Sequence, residues 1–323
     1  MSELVIKTSR TAMGGTELIN ARLHEALPEL TSQVQIICSR PEQVVLEDRP
    51  RILWLHDLAQ DPAVAKLRDA GYRAQFNKLV FVSHWQQQQY NMILGVPYSE
   101  GVVIKNGIPP MDVVFPKPKV DGKLRFIYTP TPHRGLALLA AAADALKNMR
   151  QDWELHVYSS LKLYGWADQD KQFEPLYDAL RANPCVVYHG TAPNDEVRQA
   201  CLDAHVFVYP SVYQETSCMA IQEAMMAGCL AITTNLAGLP ETCGEWAWMM
   251  HFTEDPNVLA QRTLDAMGFA LQVYDEDHVQ QALQFQASYF RHYYSWDSRV
   301  VAWRKLLEES VKEGVKEEMF IIP

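Results

Sequence analysis

Short runs rich in β-branched residues alternate with segments of helix length along most of this 323-residue chain. This alternation is typical of parallel β-sheets whose strands are joined by crossover helices. In the N-terminal third it predicts strands at residues 4–8, 34–39, 51–56, 78–83 and 102–104, with helices at 16–30, 62–71 and 85–94. The sequence therefore predicts an α/β fold.

A proline-rich segment at residues 108–122 interrupts the alternation. It holds four prolines and ends in Asp121-Gly122, a composition that favours an extended linker. The alternation then restarts, with strands predicted at 124–129, 154–159, 186–189, 206–209 and 230–233 and helices at 135–149, 172–182, 195–204 and 219–227. We therefore predict domains at 1–115 and 116–295, followed by residues 296–323, in which 296–318 form an amphipathic helix.

Composition narrows the classes of partner. The chain has 39 acidic and 29 basic side chains, a net charge of -10, so its surface would repel a nucleic-acid backbone. No apolar run is long enough to span a bilayer, and the three apolar residues before Lys7 are too few for a signal peptide. We expect a cytoplasmic protein that binds no nucleic acid. Its six widely spaced cysteines predict buried thiols rather than a metal site.

The first candidate for chemistry is Gly14-Gly15-Thr16, between the first predicted strand and helix. Glycines at the start of a helix allow a phosphate to approach the free N–H groups of its first turn. The alternative is an ordinary turn in which Thr16 caps the helix. The residues alone leave both interpretations open, and the segment is not a GxGxxG fingerprint.

Two cationic or titratable side chains follow predicted strands. His56 stands at the carboxyl end of one, where an imidazole can exchange a proton or hydrogen bond with a substrate hydroxyl. Arg134 stands at the entrance of a helix, where a guanidinium and helix amides together favour a diphosphate. The alternatives are a structural histidine and a solvated arginine.

The most informative stretch is PSVYQETSCMAIQEAMMAG at residues 210–228. It leads from an apolar strand through a polar loop into a helix, with Glu215 before the helix and Glu223 along it. Carboxylates in these positions suit the paired hydroxyls of a ribose or hexose. Two unrelated exposed glutamates are the alternative.

With its flanking residues, this E-x7-E arrangement resembles the signature of the family 4 retaining glycosyltransferases of the GT-B fold. Further motifs stand in the family's order: GGTE at 14–17, LHD at 55–57, FVS at 81–83, IKNGIP at 104–109, HRGL at 133–136, YHG at 188–190 and LAGLPE at 236–241. Residues 290–307, FRHYYSWDSRVVAWRKLL, resemble the family's C-terminal tail. The similarity covers most of the chain.

The resemblance implies two Rossmann-like domains facing across a cleft, with the last helix packing back on the N-terminal, acceptor-side domain. The C-terminal domain would bind a nucleoside diphosphate-sugar, and the sugar would pass to a glycan, lipid or small-molecule acceptor with retention of anomeric configuration. No cofactor or metal is implied. No transmembrane segment is expected, and peripheral membrane contact stays open.

The resemblance also assigns roles. Glu223 would hold the donor's ribose, Glu215 the donor sugar, Arg134 the diphosphate, and His56 would lie beside the reacting carbon. The implied catalytic residues are His56, Glu215 and Arg134. The implied donor-binding residues are Gly14, Gly15, Thr16, Arg134, Lys162, His189, Gly190, Ser217, Cys218, Met219 and Glu223.

The chain departs from the family pattern in three places. Thr129 stands where the family commonly has an arginine, and Lys162 or His133 are the candidates to replace that charge. Tyr158-Ser159-Ser160 replaces a glycine-rich turn, and the N-terminal domain is short. A non-catalytic nucleotide- or sugar-binding protein and a GT-B sugar isomerase or phosphorylase are the alternatives, whereas the missing GxGxxG disfavours a Rossmann dehydrogenase.

Overall fold

The computed structural model describes residues 14–316, which divide into two compact units. Among the described residues, the first unit comprises Gly15–Pro109 and residues 294–316, and the second comprises Gly14 and Pro110–Tyr293. The predicted domain limits at 115/116 and 295/296 lie within six residues of these divisions. The strand predicted at residues 4–8 lies outside the described residues.

The first unit is built on a parallel sheet of four strands in the order β1-β2-β3-β4. Its elements are α1 (Gly15–Ala26), α2 (Pro28–Thr31), β1 (Gln35–Cys38), β2 (Arg51–Leu55), α3 (Ala70–Arg73), β3 (Lys78–Phe81), α4 (His84–Leu94) and β4 (Gly101–Val103). The apolar side chains of β2 and β3, such as Leu53 and Phe81, are fully buried. This explains why these strands read as continuous apolar runs.

One helix prediction in this unit is wrong. Residues 62–71 form a 3-10 helix, Pro62–Arg68, and then the separate short helix α3. The cause is a pair of aspartates: Asp61 accepts a hydrogen bond from the Ala63 amide, and Asp69 accepts one from the Tyr72 amide. Each aspartate therefore caps the N-terminus of a separate helix.

The second unit contains a parallel six-stranded sheet in the order β10-β9-β8-β5-β6-β7. Its strands are β5 (Leu124–Tyr128), β6 (Trp153–Val157), β7 (Val186–Tyr188), β8 (Val206–Tyr209), β9 (Leu230–Thr234) and β10 (Trp248–Met250). Its helices are α5 (Leu136–Leu146), α6 (Ala167–Asp170), α7 (Glu174–Ala182), α8 (Asn194–Asp203), α9 (Met219–Met226), α10 (Leu239–Cys243), α11 (Pro256–Val273) and α12 (Asp277–Tyr293). From β5 the chain continues through β6 to β7 at one edge of the sheet. It then returns to the other side of β5, where β8 and β9 lead to β10 at the opposite edge. The switch point therefore lies between β5 and β8.

The last helix, α13 (Trp296–Glu313), belongs to the first unit. Its Trp303 ring lies 4.5 Å from the ring of Trp54 on β2, and the side-chain amide of Asn77 donates to the carbonyl of Gly314 at 2.9 Å. The predicted end at residue 318 is wrong because Gly314, at φ +75°, terminates the helix. The predicted amphipathic helix that packs on the N-terminal sheet is otherwise present.

The proline-rich segment is anchored by a buried lysine. Lys117 Nζ donates to the carbonyls of Cys201 and Ala204, at 2.9 and 2.5 Å. These carbonyls lie at the C-terminal end of α8, where backbone acceptors lack helical partners and a cation is favoured. The segment is therefore fixed to the second unit near its lysine.

Candidate functional site

The switch point of the second sheet brings together two residues predicted from sequence. Arg134 follows β5 and Glu215 follows β8, and these two strands are neighbours. Arg134 Nη1 donates to Glu215 Oε1 at 2.8 Å. Ligands of open α/β sheets bind at the carboxyl ends of strands beside such a switch. The pairing itself was not predicted, because the sequence assigned the two side chains to different parts of a donor.

Two glycines allow the loops around this pair to approach closely. Gly135 has φ +129°, and a Cβ there would lie 2.2 Å from the carbonyl oxygen of Pro210. A Cβ on Gly238 would lie 2.6 Å from the carbonyl oxygen of Glu215, which accepts a hydrogen bond from the Gly238 amide. Only glycine fits either position without displacing backbone. The HRGL and LAGLPE motifs therefore contribute backbone shape as well as side chains.

Tyr209, the last residue of β8, is a site residue that the sequence analysis missed. Its hydroxyl donates to Glu215 Oε1 at 2.6 Å, and its side chain is fully buried. Burial, with the adjacent carboxylate, holds the pKa of Tyr209 well above its usual value, so the phenol stays a donor. In the sequence, Tyr209 is only the last residue of an apolar strand. Its hydroxyl at the carboxyl end of that strand was the feature from which a site role could have been predicted.

Tyr213 is a second missed residue. The Arg134 guanidinium carbon lies 4.3 Å from the centre of the Tyr213 ring, a cation–π contact, and the His133 ring lies 5.7 Å from the same ring. Burial and the charge of Arg134 lower the pKa of His133. The lowered pKa favours the neutral form of His133 near pH 7, and its part as a replacement for the arginine absent at Thr129 stays a prediction.

Helix α9 carries the other predicted carboxylate. Ser217, Cys218 and Met219 lie at its N-terminus, where backbone amides lack intrahelical partners. Glu223, one turn further along, is buried, and its Oε1 lies 3.4 Å from Asn194 Nδ2. The same oxygen lies 3.5 Å from Arg198 Nη1.

Lys162 stands in a 3-10 turn, Leu161–Tyr164, after β6. Buried Asp170 fixes this turn by accepting hydrogen bonds from the Ser160 hydroxyl and the Leu161 amide, at 2.7 and 2.6 Å. Tyr164 of the same turn interacts electrostatically with Arg134. Across residues 14–316, however, no hydrogen bond or ion pair joins Lys162 to the Glu215 carboxylate, which pairs with Arg134 instead.

His189 and Gly190 follow β7 at the neighbouring part of the sheet. The His189 ring stacks on Tyr158, with ring centres 4.1 Å apart and planes 2° apart. Its Nε2 lies 3.0 Å from His156 Nδ1, and burial, with the charge of His156, lowers the pKa of His189. The structure thus provides a column of aromatic rings rather than a cation at this position.

The remaining predicted site residues are Gly15, Thr16 and His56 of the first unit, and Gly14, which directly precedes that unit. Helix α1 begins at Gly15, directly after Gly14, so Thr16 lies within the first turn and the interpretation of Thr16 as its N-cap is wrong. The His56 amide donates to Ser39 Oγ at 3.1 Å, and its ring lies 4.9 Å from that of Trp54. Burial lowers the pKa of His56 to about 3. The imidazole is therefore neutral at physiological pH.

Within residues 14–316, no three histidine, cysteine or acidic side chains come together as a metal site would require. All six cysteines are free thiols, and Cys201, Cys218, Cys229 and Cys243 are buried. In the same described range, no helix combines the length and the apolarity needed to cross a bilayer.

Residues 125–268 match the family model of the glycosyl transferases group 1. This segment contains Arg134, Tyr209, Glu215 and Glu223. No curated protein sequence is significantly similar to the chain.

Solved structures match most of the chain. A glycosyltransferase from Rickettsia africae is 13% identical, with a TM-score of 0.66 over 93% of this chain and 83% of its own. A sucrose-phosphate synthase from Thermosynechococcus elongatus is 14% identical, with a TM-score of 0.66 over 92% and 78%. Anabaena HepE in complex with UDP-glucose is 17% identical, with a TM-score of 0.61 over 82% and 72%. The α/β fold with parallel sheets thus matches GT-B glycosyltransferase structures, as predicted.

Proposed function

We propose that this protein is a family 4 glycosyltransferase that moves a sugar from a nucleoside diphosphate donor to an acceptor with retention of configuration and without a metal ion. The observation that carries the proposal is the Arg134–Glu215 pair at the β5/β8 switch point, within the segment that matches the family model. The complex of the similar Anabaena protein with UDP-glucose supports a nucleotide-sugar as the donor class.

The chemical task is to stabilise charge on the leaving diphosphate as the bond to the sugar breaks. Arg134 supplies a guanidinium that is fixed by Glu215 and Tyr213, and the N-terminal amides of α9 supply dipoles of the same sign. Both described hydrogen bonds to the Glu215 carboxylate fall on Oε1, and Oε2 would accept hydrogen bonds from the donor sugar. Glu223 would accept those of the ribose.

Four residues before β3 are given roles by the same proposal. Gly14, Gly15 and Thr16 would offer amides to the diphosphate, and His56, being neutral, would exchange hydrogen bonds with the sugar rather than act as a cation. We place the enzyme in the cytoplasm, which suits its six free thiols. The acceptor is a glycan, lipid or small molecule.

Thr129 favours a second candidate, a non-catalytic nucleotide- or sugar-binding protein, because it removes one of the two cations that the family brings to the diphosphate. A panel of nucleoside diphosphates and their sugar conjugates separates the two functions. Selective binding raises the melting temperature by mass action in either case. Only the enzyme releases the diphosphate from the selected conjugate.

Glu223→Ala tests the ribose role by calorimetry. Loss of a charged acceptor should weaken nucleoside diphosphate binding by roughly 1–3 kcal/mol. Glu254→Ala, a change of an exposed glutamate, is the matched control and should bind as wild type does. Equal affinities for the Glu223 variant and wild type would remove Glu223 from the donor site.

Two further measurements test the chemistry. Turnover should survive excess EDTA, and its abolition with recovery on adding Mg²⁺ would refute metal independence. Arg134→Ala should lower kcat more than it raises KM, with Arg134→Lys milder, because phosphate charge grows in the transition state. If Lys162→Ala is inactive and Arg134→Ala is not, the diphosphate role belongs to Lys162.

A further inference from the structure

Helix α8 presents two polar side chains to the carboxylate of Glu223. Asn194 and Arg198 are four residues apart, so they lie on one face of the helix. Asn194 Nδ2 and Arg198 Nη1 both approach Glu223 Oε1, at 3.4 and 3.5 Å. No motif of the sequence analysis included either residue.

The three side chains form a largely buried group. The Arg198 side chain is 12% exposed and that of Glu223 is 8% exposed. A carboxylate this far from water is stable as an anion only when nearby charge and hydrogen bonds compensate its desolvation. Arg198 supplies that charge, and Asn194 adds a neutral donor.

Arg198 is itself held in place from the other side. Its Nη2 donates to the carbonyl of Pro110 at 3.2 Å, at the start of the proline-rich segment. The guanidinium therefore bridges that segment and the carboxylate, and its planar fork fixes the direction from which Glu223 is approached. A lysine at this position would keep the charge and lose the fork.

We propose that Arg198, assisted by Asn194, is a positioning residue that makes the donor site selective for ribose over 2′-deoxyribose. It engages Oε1 of Glu223 and so turns Oε2 toward the two adjacent hydroxyls of a ribose. This inference rests on the proposed function, since it assigns Glu223 to the nucleoside. A carboxylate that is free to rotate would still accept a hydrogen bond from one hydroxyl, but it would not be oriented to accept hydrogen bonds from both.

The test measures dissociation constants of UDP, GDP and ADP, and of their 2′-deoxy counterparts, by calorimetry for wild type, Arg198→Met, Arg198→Lys and Asn194→Ala. For the base that binds, wild type should prefer the ribonucleotide by about tenfold or more, the value of a hydrogen bond to a charged acceptor. Arg198→Met should reduce this ratio at least about threefold, with Arg198→Lys intermediate and Asn194→Ala closer to wild type. Arg181→Met, a change of an exposed arginine paired with Asp178 on α7, is the control and should keep the wild-type ratio.

The ratio separates positioning from a structural role. If Arg198 merely stabilises the fold, its loss weakens both nucleotides alike and leaves the ratio unchanged, which overturns the inference alone. Binding of the ribonucleotide and the deoxyribonucleotide with equal affinity to wild type also overturns it. If wild type binds none of the six nucleotides, the proposed function fails and the role of Arg198 fails with it.

Discussion

Tyr209→Phe removes a single hydroxyl from the centre of the candidate site. The phenol donates to Glu215 Oε1 at 2.6 Å, and the ring is fully buried, so the substitution changes one hydrogen bond and leaves the packing intact. A hydrogen bond to a charged group contributes about 1.5–3 kcal/mol to stability. Since Arg134 still donates to the same oxygen, we expect the lower end of that range.

The assay is a double-mutant cycle of Tyr209→Phe and Glu215→Gln, in which the stability of each variant is measured by thermal unfolding. A loss of about 1.5 kcal/mol corresponds to a fall in melting temperature of roughly 3–6 °C for a domain of about 150–250 residues. In the Glu215→Gln background the bond is neutral, so Tyr209→Phe should cost roughly half as much. An equal cost in both backgrounds would refute the reasoning that Tyr209 stabilises a carboxylate.

Three further predictions follow from the second unit. Lys117→Met should lower the free energy of unfolding, measured by urea titration, by about 2 kcal/mol or more, because two buried carbonyls lose their donor. The control is Lys119→Met, which breaks an ion pair with largely exposed Asp275 and should cost less than about 1 kcal/mol. Gly135→Ala should abolish donor binding in the thermal-shift assay through its clash with Pro210, while Gly165→Ala, with open space around it, should lose only about 1 kcal/mol of stability. Burial, with the charge of Lys117, lowers the pKa of His205 to about 4, whereas the usual pKa of histidine is about 6.5. Between these two pH values the unfolded chain binds more protons than the folded one, so the free energy of unfolding should fall as pH drops, by up to about 1.4 kcal/mol per pH unit. His205→Asn should make the free energy of unfolding less dependent on pH in this window. Equal stability losses in Lys117→Met and Lys119→Met would contradict the first argument, and donor binding by Gly135→Ala would contradict the second. The third is contradicted if His205→Asn leaves the pH dependence of stability unchanged.

The sequence predicted most strands of both sheets because buried parallel strands read as apolar runs. In the second unit, the bounds of β5 to β9 differ from those of the predicted strands by at most two residues. β10 was missed because its three residues, Trp248–Met250, include no β-branched residue. Helices α11 and α12 were not predicted although both are long; each also carries an exposed aromatic side chain, Phe269 and Phe285.

The site was predictable in its parts and not in its contacts. Arg134 and Glu215 follow predicted strands, but their 2.8 Å pairing depends on β5 and β8 being neighbours, which the order of strands along the chain does not show. Tyr209 and Arg198 were missed for a related reason. Each gains its role from a partner on another element, and neither stands in a motif that singles it out.

The central claim is that the Arg134–Glu215 site promotes cleavage of a nucleotide-sugar with retention. The most direct measurement follows the anomeric proton of the donor selected by the thermal-shift panel, by proton NMR, in the presence of wild type and of Arg134→Ala. The account predicts that wild type first releases the sugar in the same anomeric configuration that it has in the donor, and that the variant does so much more slowly. Release of the opposite anomer would contradict retention, and an unchanged rate in the variant would contradict the role of the site.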